Sequence, residues 1–175
     1  SSDVIFVKNI DNIQCSVMDH EINQYWELLG GLLIHILDSV QKAIHEKNAS
    51  ELLSLNHRFG LSSELNPTMD WDTMVSVFNR PYRVCGMVRN EGMPGGGPFW
   101  VKDQKGISKQ IIEKSQISQG NMSCLTGSTH FNPVMMALYK KDIQGNSLSL
   151  SSFVRTDLSM AVSKRHQGKL VYHIE

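Results

Sequence analysis

The sequence carries no excess charge of either sign, since Lys and Arg total 17 and Asp and Glu total 17. Without a global field, a polyanion would have to be held at a local site, so neither nucleic acid nor a membrane surface is an expected partner. Long apolar runs are also lacking. The most apolar stretch, 28–37, is broken by Gly30, Gly31 and His35 and falls short of the roughly 20 residues a membrane helix needs. Cysteine is sparse: Cys15, Cys85 and Cys124 are odd in number, widely spaced and without a CxxC pair. That pattern fits neither a disulfide framework nor a zinc site and points to a reducing, cytoplasmic setting. The N-terminal Ser1-Ser2-Asp3-Val4-Ile5-Phe6-Val7 has no basic region ahead of a long apolar core, so these residues do not read as a signal peptide. Neither GxxxxGK[ST] nor GxGxxG occurs, so the two standard phosphate-loop fingerprints are absent.

What is present is a balance suited to folding. The chain has 175 residues, of which 41% are hydrophobic and 19% charged. Single domains commonly run to about 100–200 residues, and one domain spanning 1–175 is expected. Because the sequence starts without Met and enters an apolar strand almost at once, it reads as the C-terminal part of a longer domain whose N-terminal half is absent.

Val4 to Val7 is a β-branched and aromatic run, expected to be a central strand, with Asp11 just past its end. From Glu21 to Ala43, the residues Ile22, Trp26, Leu29, Leu33, Ile36, Val40 and Ala43 recur every three or four positions and predict a helix. Gly30-Gly31 in its middle cost about 1 kcal/mol each relative to Ala, which implies close packing against a neighbour or a kink. Asn48 with Glu51 predicts the start of a second helix through Leu55, and Asp70 caps a third running to Phe78. Tyr82, Val84, Gly86 and Val88 alternate with polar or smaller residues, the two-residue period of a strand, which Asn90-Glu91-Gly92 ends as a turn. Met93-Pro94-Gly95-Gly96-Gly97-Pro98 is expected to be irregular. Phe99 to Val101 and Ile107 to Ile112 read as paired strands, Pro133 to Tyr139 as a helix, 140–146 as a loop and Leu170 to Ile174 as a last strand. Alternating helices and strands give an α/β layered domain.

Four groups can carry chemistry. Asp11, after a strand, stands where α/β sheets bind ligands and could hold a magnesium ion together with substrate phosphates; Asp-Asn also makes an ordinary turn. Gly95, Gly96 and Gly97 could offer bare backbone N–H groups to a phosphate, or simply join two strands. Glu113, at the polar end of an apolar run, is an acceptor suited to sugar hydroxyls, or a surface carboxylate. Thr129-His130-Phe131-Asn132-Pro133 clusters a hydroxyl, an imidazole and an amide, although a solvated His and an Asn-Pro turn are both commonplace.

The segments Asp-Val-Ile-Phe-Val-Lys-Asn-Ile-Asp-Asn at 3–12, Arg-Pro-Tyr-Arg-Val-Cys-Gly-Met-Val-Arg-Asn-Glu-Gly at 80–92, Pro-Gly-Gly-Gly-Pro-Phe-Trp at 94–100 and Ser-Thr-His-Phe-Asn-Pro at 128–133 resemble the domain of unknown function 4301 family. More distantly, their order resembles the UDP-sugar pyrophosphorylases. That resemblance implies a partial, Rossmann-like nucleotide-diphospho-sugar transferase sheet with flanking helices. It also implies transfer of a nucleotide to a sugar phosphate, with Asp11 as the magnesium-linked catalytic residue, Gly86 beside the sugar, Glu113 on its hydroxyls and Asn132 or His130 as a later polar contact. The glycine-rich nucleotide loop of that superfamily is missing here and the 94–98 insertion interrupts a simple hairpin. The chain alone is therefore expected to be inactive, and a non-catalytic sugar-nucleotide-binding or structural module is the alternative. Exposed sheet edges are expected to promote self-association.

Overall fold

The computed structural model describes residues 3–8, 19–92, 96–103, 106–154, 161–166 and 169–174, with the backbone alone at 19–21, 132–134, 161–166 and 169–174. The chain is a mixed α/β structure. In order it forms β1 (Val4–Lys8), α1 (Asp19–His45), α2 (Ala49–Phe59), α3 (Trp71–Val77), β2 (Tyr82–Arg89), β3 (Gly97–Asp103), β4 (Gly106–Ile112), α4 (Met122–Thr126), β5 (His130–Tyr139), β6 (Ala161–His166) and β7 (Lys169–Ile174). Every described strand pair is antiparallel: a three-stranded sheet in the order β1-β5-β2, the hairpin β3-β4 and the hairpin β6-β7.

The periodic helix is α1, and its predicted face is the one that packs. Leu29, Leu33, Ile36, Val40 and Ala43 are buried, and Ile22 and Trp26 pack at the margin of the same core. Each fully buried aliphatic side chain contributes about 1.5–3 kcal/mol relative to exposure, so this stripe is what holds the helix on the sheet. The helix runs unbroken through Gly30 and Gly31. Gly30 is the close-packed one: a Cβ built there would stand 2.9 Å from the tip of the Phe6 ring, whereas one on Gly31 would meet nothing within 4 Å. Phe6 in turn meets Trp26 edge-on, with ring centroids 5.2 Å apart.

Helix α2 begins as expected, with Asn48 Oδ1 accepting from the Glu51 N–H at 3.0 Å, and it extends past Leu55 to end at Gly60 in the left-handed region. Asp70 caps α3, accepting from both the backbone and the hydroxyl of Thr73. The helices close over Leu52, Leu55, Met74 and Phe78. Tyr82, the first residue of β2, donates its hydroxyl to the Phe78 carbonyl at 3.0 Å, and burial pushes its phenol above the usual range.

Three expectations are corrected. Residues 133–139 are not a helix but most of β5, the middle strand. Met135-Met136-Ala137-Leu138 has helical propensity, yet pairing on both sides with β1 and β2, and burial of Met135 and Ala137, override it. The run Val4–Val7 is a strand but lies at the edge of its sheet, not the centre, with Ile5, Phe6 and Val7 exposed. A short apolar run has the same appearance in either place. The segment expected to be irregular at 93–98 is regular at its end, where Gly97 and Pro98 open β3. The loop at 140–146 is built on Asp142, whose carboxylate accepts from the backbone N–H groups of Gln144 and Asn146 and from the Asn146 amide. Lys141 ties this loop to the start of β1 through a 2.8 Å ion pair with Asp3.

Candidate functional site

The glycine run meets two of the predicted polar residues. Gly96 and Gly97 are buried, and their neighbours explain why they lack side chains. A Cβ on Gly96 would overlap the carboxylate of Glu113, and one on Gly97 would lie 3.3 Å from the His130 carbonyl and 3.8 Å from the Phe131 Cα. Adjacent glycines thus connect Glu113 on one side with the start of β5 on the other. Glu113 is held there by local structure: it ends β4, its N–H donates to Gln116 Oε1 at 2.8 Å, and a 3-10 turn at Lys114–Gln116 follows.

His130 is positioned by the segment before it. Its Nδ1 lies 3.0 Å from Thr129 Oγ1, and Ser128 Oγ donates to the His130 carbonyl at 2.6 Å. Asn90 fixes this segment to the end of β2, donating from its backbone to the Thr129 carbonyl and from its amide to the Ser128 carbonyl. Between β2 and β5 the ladder slips twice, at Gly86/Met87 and at Met87/Val88, leaving Asn132 and Val134 of β5 without opposite residues. Bulges of this kind re-aim side chains and gather beside binding sites.

These elements border an open cavity of about 520 Å³ lined by Met87, Pro98, Phe99, Cys124, Thr129 and His130, with Gly127 and Ser128. Its walls combine apolar surface from Met87, Pro98 and Phe99 with hydroxyls, a thiol and an imidazole, the mixture expected of a small-molecule site. Cys124 is exposed; Cys85, half-buried on β2, has its thiol pushed up by burial.

Of the residues singled out in the sequence, Gly96, Gly97, Glu113 and His130 are brought together here. Gly86 lies elsewhere: it packs against Leu29 of α1, with Leu29 Cδ1 3.5 Å from a Cβ built on it. Asp11 and Gly95 lie outside the described residues, and of Asn132 only the backbone is described. Met87, Phe99 and Cys124 were not singled out. Strand alternation could have flagged Met87, the neighbour of Gly86 that points the other way, whereas nothing in the sequence marks Cys124.

Among the described residues no three or more His, Cys, Asp or Glu side chains group as a metal site, and no helix is long and apolar enough to cross a membrane. A family model described as Domain of unknown function (DUF4301) matches residues 1–175. No curated protein and no solved structure matches the chain.

Proposed function

The chain belongs to the DUF4301 family, and on that premise we propose that it binds a sugar phosphate in the cleft lined by Met87, Phe99, Thr129 and His130, as the sugar-handling part of a sugar-1-phosphate nucleotidyltransferase. The observation that carries this reading is a cavity of about 520 Å³ lined by His130, Thr129 and Pro98, with the Glu113 carboxylate beside Gly96, two residues before Pro98. An ionised carboxylate accepts from paired sugar hydroxyls, and an imidazole whose Nδ1 faces Thr129 Oγ1 keeps its other nitrogen for a ligand. Glycine lets a ligand approach the backbone closely.

The reaction, the partial nucleotide-diphospho-sugar transferase-like fold and a magnesium ion at Asp11 belong to the same proposal. Their support is the order of segments along the chain. A single carboxylate suffices for magnesium when substrate phosphates supply other oxygens, and the ion would neutralise phosphate charge there. The residues of this chain would orient the sugar, and alignment with charge neutralisation is most of what such a transfer requires.

The test is pyrophosphate release on mixing the protein with nucleoside triphosphates and a panel of sugar 1-phosphates, alongside calorimetric binding of the sugar phosphates alone. Turnover that falls in Glu113→Gln supports the proposal. Binding without turnover favours the non-catalytic module instead. Absence of both from the folded protein overturns the sugar-phosphate reading.

A further inference from the structure

A second cluster lies on the other face of the β3-β4 hairpin. Trp100 and Lys109 are directly opposite in the ladder, and Lys109 Nζ stands 5.0 Å from the Trp100 ring centroid. Both sit over the end of α2, where Gly60 holds φ at 57°; a Cβ there would stand 3.0 Å from Lys109 Nζ and 3.9 Å from the Trp100 ring. A second cation, Arg80, reaches the same place and donates from Nη2 to the Leu61 carbonyl. Burial, and secondarily the Arg80 charge, hold the Lys109 ammonium below the usual lysine range.

Cations gather at helix C-termini because the last carbonyls are unsatisfied. That accounts for a cation beside the end of α2, and Arg80 has found an acceptor in the Leu61 carbonyl just past it. It does not account for Lys109. Among the described residues its ammonium contacts a ring face but no hydrogen-bond acceptor, and the two ion pairs present, Lys42–Glu46 and Asp3–Lys141, involve neither Lys109 nor Arg80. Two like charges held near each other, neither in an ion pair with a carboxylate among the described residues, are arranged for an anion that can satisfy both. A phosphate monoester, compact and carrying up to two negative charges, matches two cations better than a carboxylate does. Trp100, 51% exposed, adds an apolar wall for whatever the phosphate is attached to.

We propose that Arg80 and Lys109 form a binding site for a small soluble phosphate monoester, with the exposed Trp100 ring as its side wall. The site is separate from the cleft, whose lining includes none of Arg80, Trp100 and Lys109.

Nuclear magnetic resonance of the full chain, following the Trp100 indole and the Lys109 side chain, reads the site directly. Inorganic phosphate should give saturable shifts of both groups, and sodium chloride at matched ionic strength should not. Lys109→Gln should weaken phosphate binding by about tenfold or more, as loss of a charge-assisted contact requires. Lys109→Arg should retain most of it, which separates lost charge from lost folding. Glu113→Gln should leave the titration unchanged, so failure of the cleft reading leaves this one standing. Equal responses to phosphate and chloride, unaltered affinity in Lys109→Gln, or binding to vesicles of phosphatidic acid without binding to inorganic phosphate would each overturn the proposal.

Discussion

Replacing Gly31 by Ala should stabilise the protein, and the same change one residue earlier should not. Both glycines lie inside the 27-residue helix α1, where Gly is about 0.8–1.0 kcal/mol less favourable than Ala. At Gly31 the added methyl meets nothing within 4 Å, so the propensity gain is realised in full, about 1 kcal/mol. At Gly30 the methyl would stand 2.9 Å from the tip of the Phe6 ring, and the ring must move. Phe6 is 47% exposed on an edge strand, so it can move, but its edge-on contact with Trp26 is then weakened. Aromatic pairs of that kind contribute about 0.5–1.5 kcal/mol, which offsets the gain and brings Gly30→Ala to about zero or below.

Thermal and urea denaturation measure the difference. For a chain of this length 1 kcal/mol shifts Tm by about 2–4 °C, upward for Gly31→Ala. A double-mutant cycle isolates the cause: in a Phe6→Ala background, Gly30→Ala should become as stabilising as Gly31→Ala. Identical effects of the two substitutions in the parent protein, or no change in Gly30→Ala on removing the Phe6 ring, would refute the assignment of Gly30 to close packing.

Other outcomes follow from single side chains. Phe78→Ala, at a fully buried position between α3 and β2, should lower the unfolding free energy by about 3–5 kcal/mol; a loss under 1 kcal/mol in urea titration would mean the core is arranged otherwise. The Asn146 amide, with backbone N–H groups, holds Asp142 below its ordinary value of 3.8. Its stabilising contribution is therefore complete above that value and vanishes as pH falls through the lowered folded pKa. The stability gap between the parent and Asp142→Asn should narrow on acidification, and a gap constant from pH 7 to pH 2 would contradict the loop assignment. Gly96→Ala should push the Glu113 carboxylate away and abolish sugar-phosphate binding while leaving the circular dichroism spectrum intact; undiminished affinity would detach Glu113 from the cleft. Strand β1, at one end of its sheet among the described residues and with Ile5, Phe6 and Val7 exposed, should support association between copies, visible as dimers or larger species in sedimentation velocity; a single monomer peak at all concentrations would contradict this.

Much of the helical layer was legible because periodicity and caps are local. The apolar positions from Ile22 to Ala43, Asn48 and Asp70 announce α1, α2 and α3 without knowledge of what they pack against. Strand β2 showed in its alternation, and β3-β4 in two apolar runs around a turn. Strand β5 was not legible, because a segment with a neighbour on each side is fixed by partners more than 40 and more than 120 residues away, and no local propensity records them. The cleft was legible in part for a related reason. Glycines, a terminal Glu and a Thr-His pair stand out singly, but their meeting depends on the double slip opposite Met87, and nothing local shows that Gly86 is a seat for Leu29.

The pairing of Val4 with Tyr139 has a consequence for the nascent chain. Strand β1 cannot find this partner until more than 120 further residues have been made, which at 5–20 residues per second is a wait of about 7–30 s. Through that interval Ile5, Phe6 and Val7 travel unpaired, a sticky strand beside a growing helix. Until translation reaches β5, Trp26 and the Gly30 notch of α1 are the nearest shelter for Phe6, so the ring that sets the order of the two glycines is also the first candidate for a holding contact during synthesis.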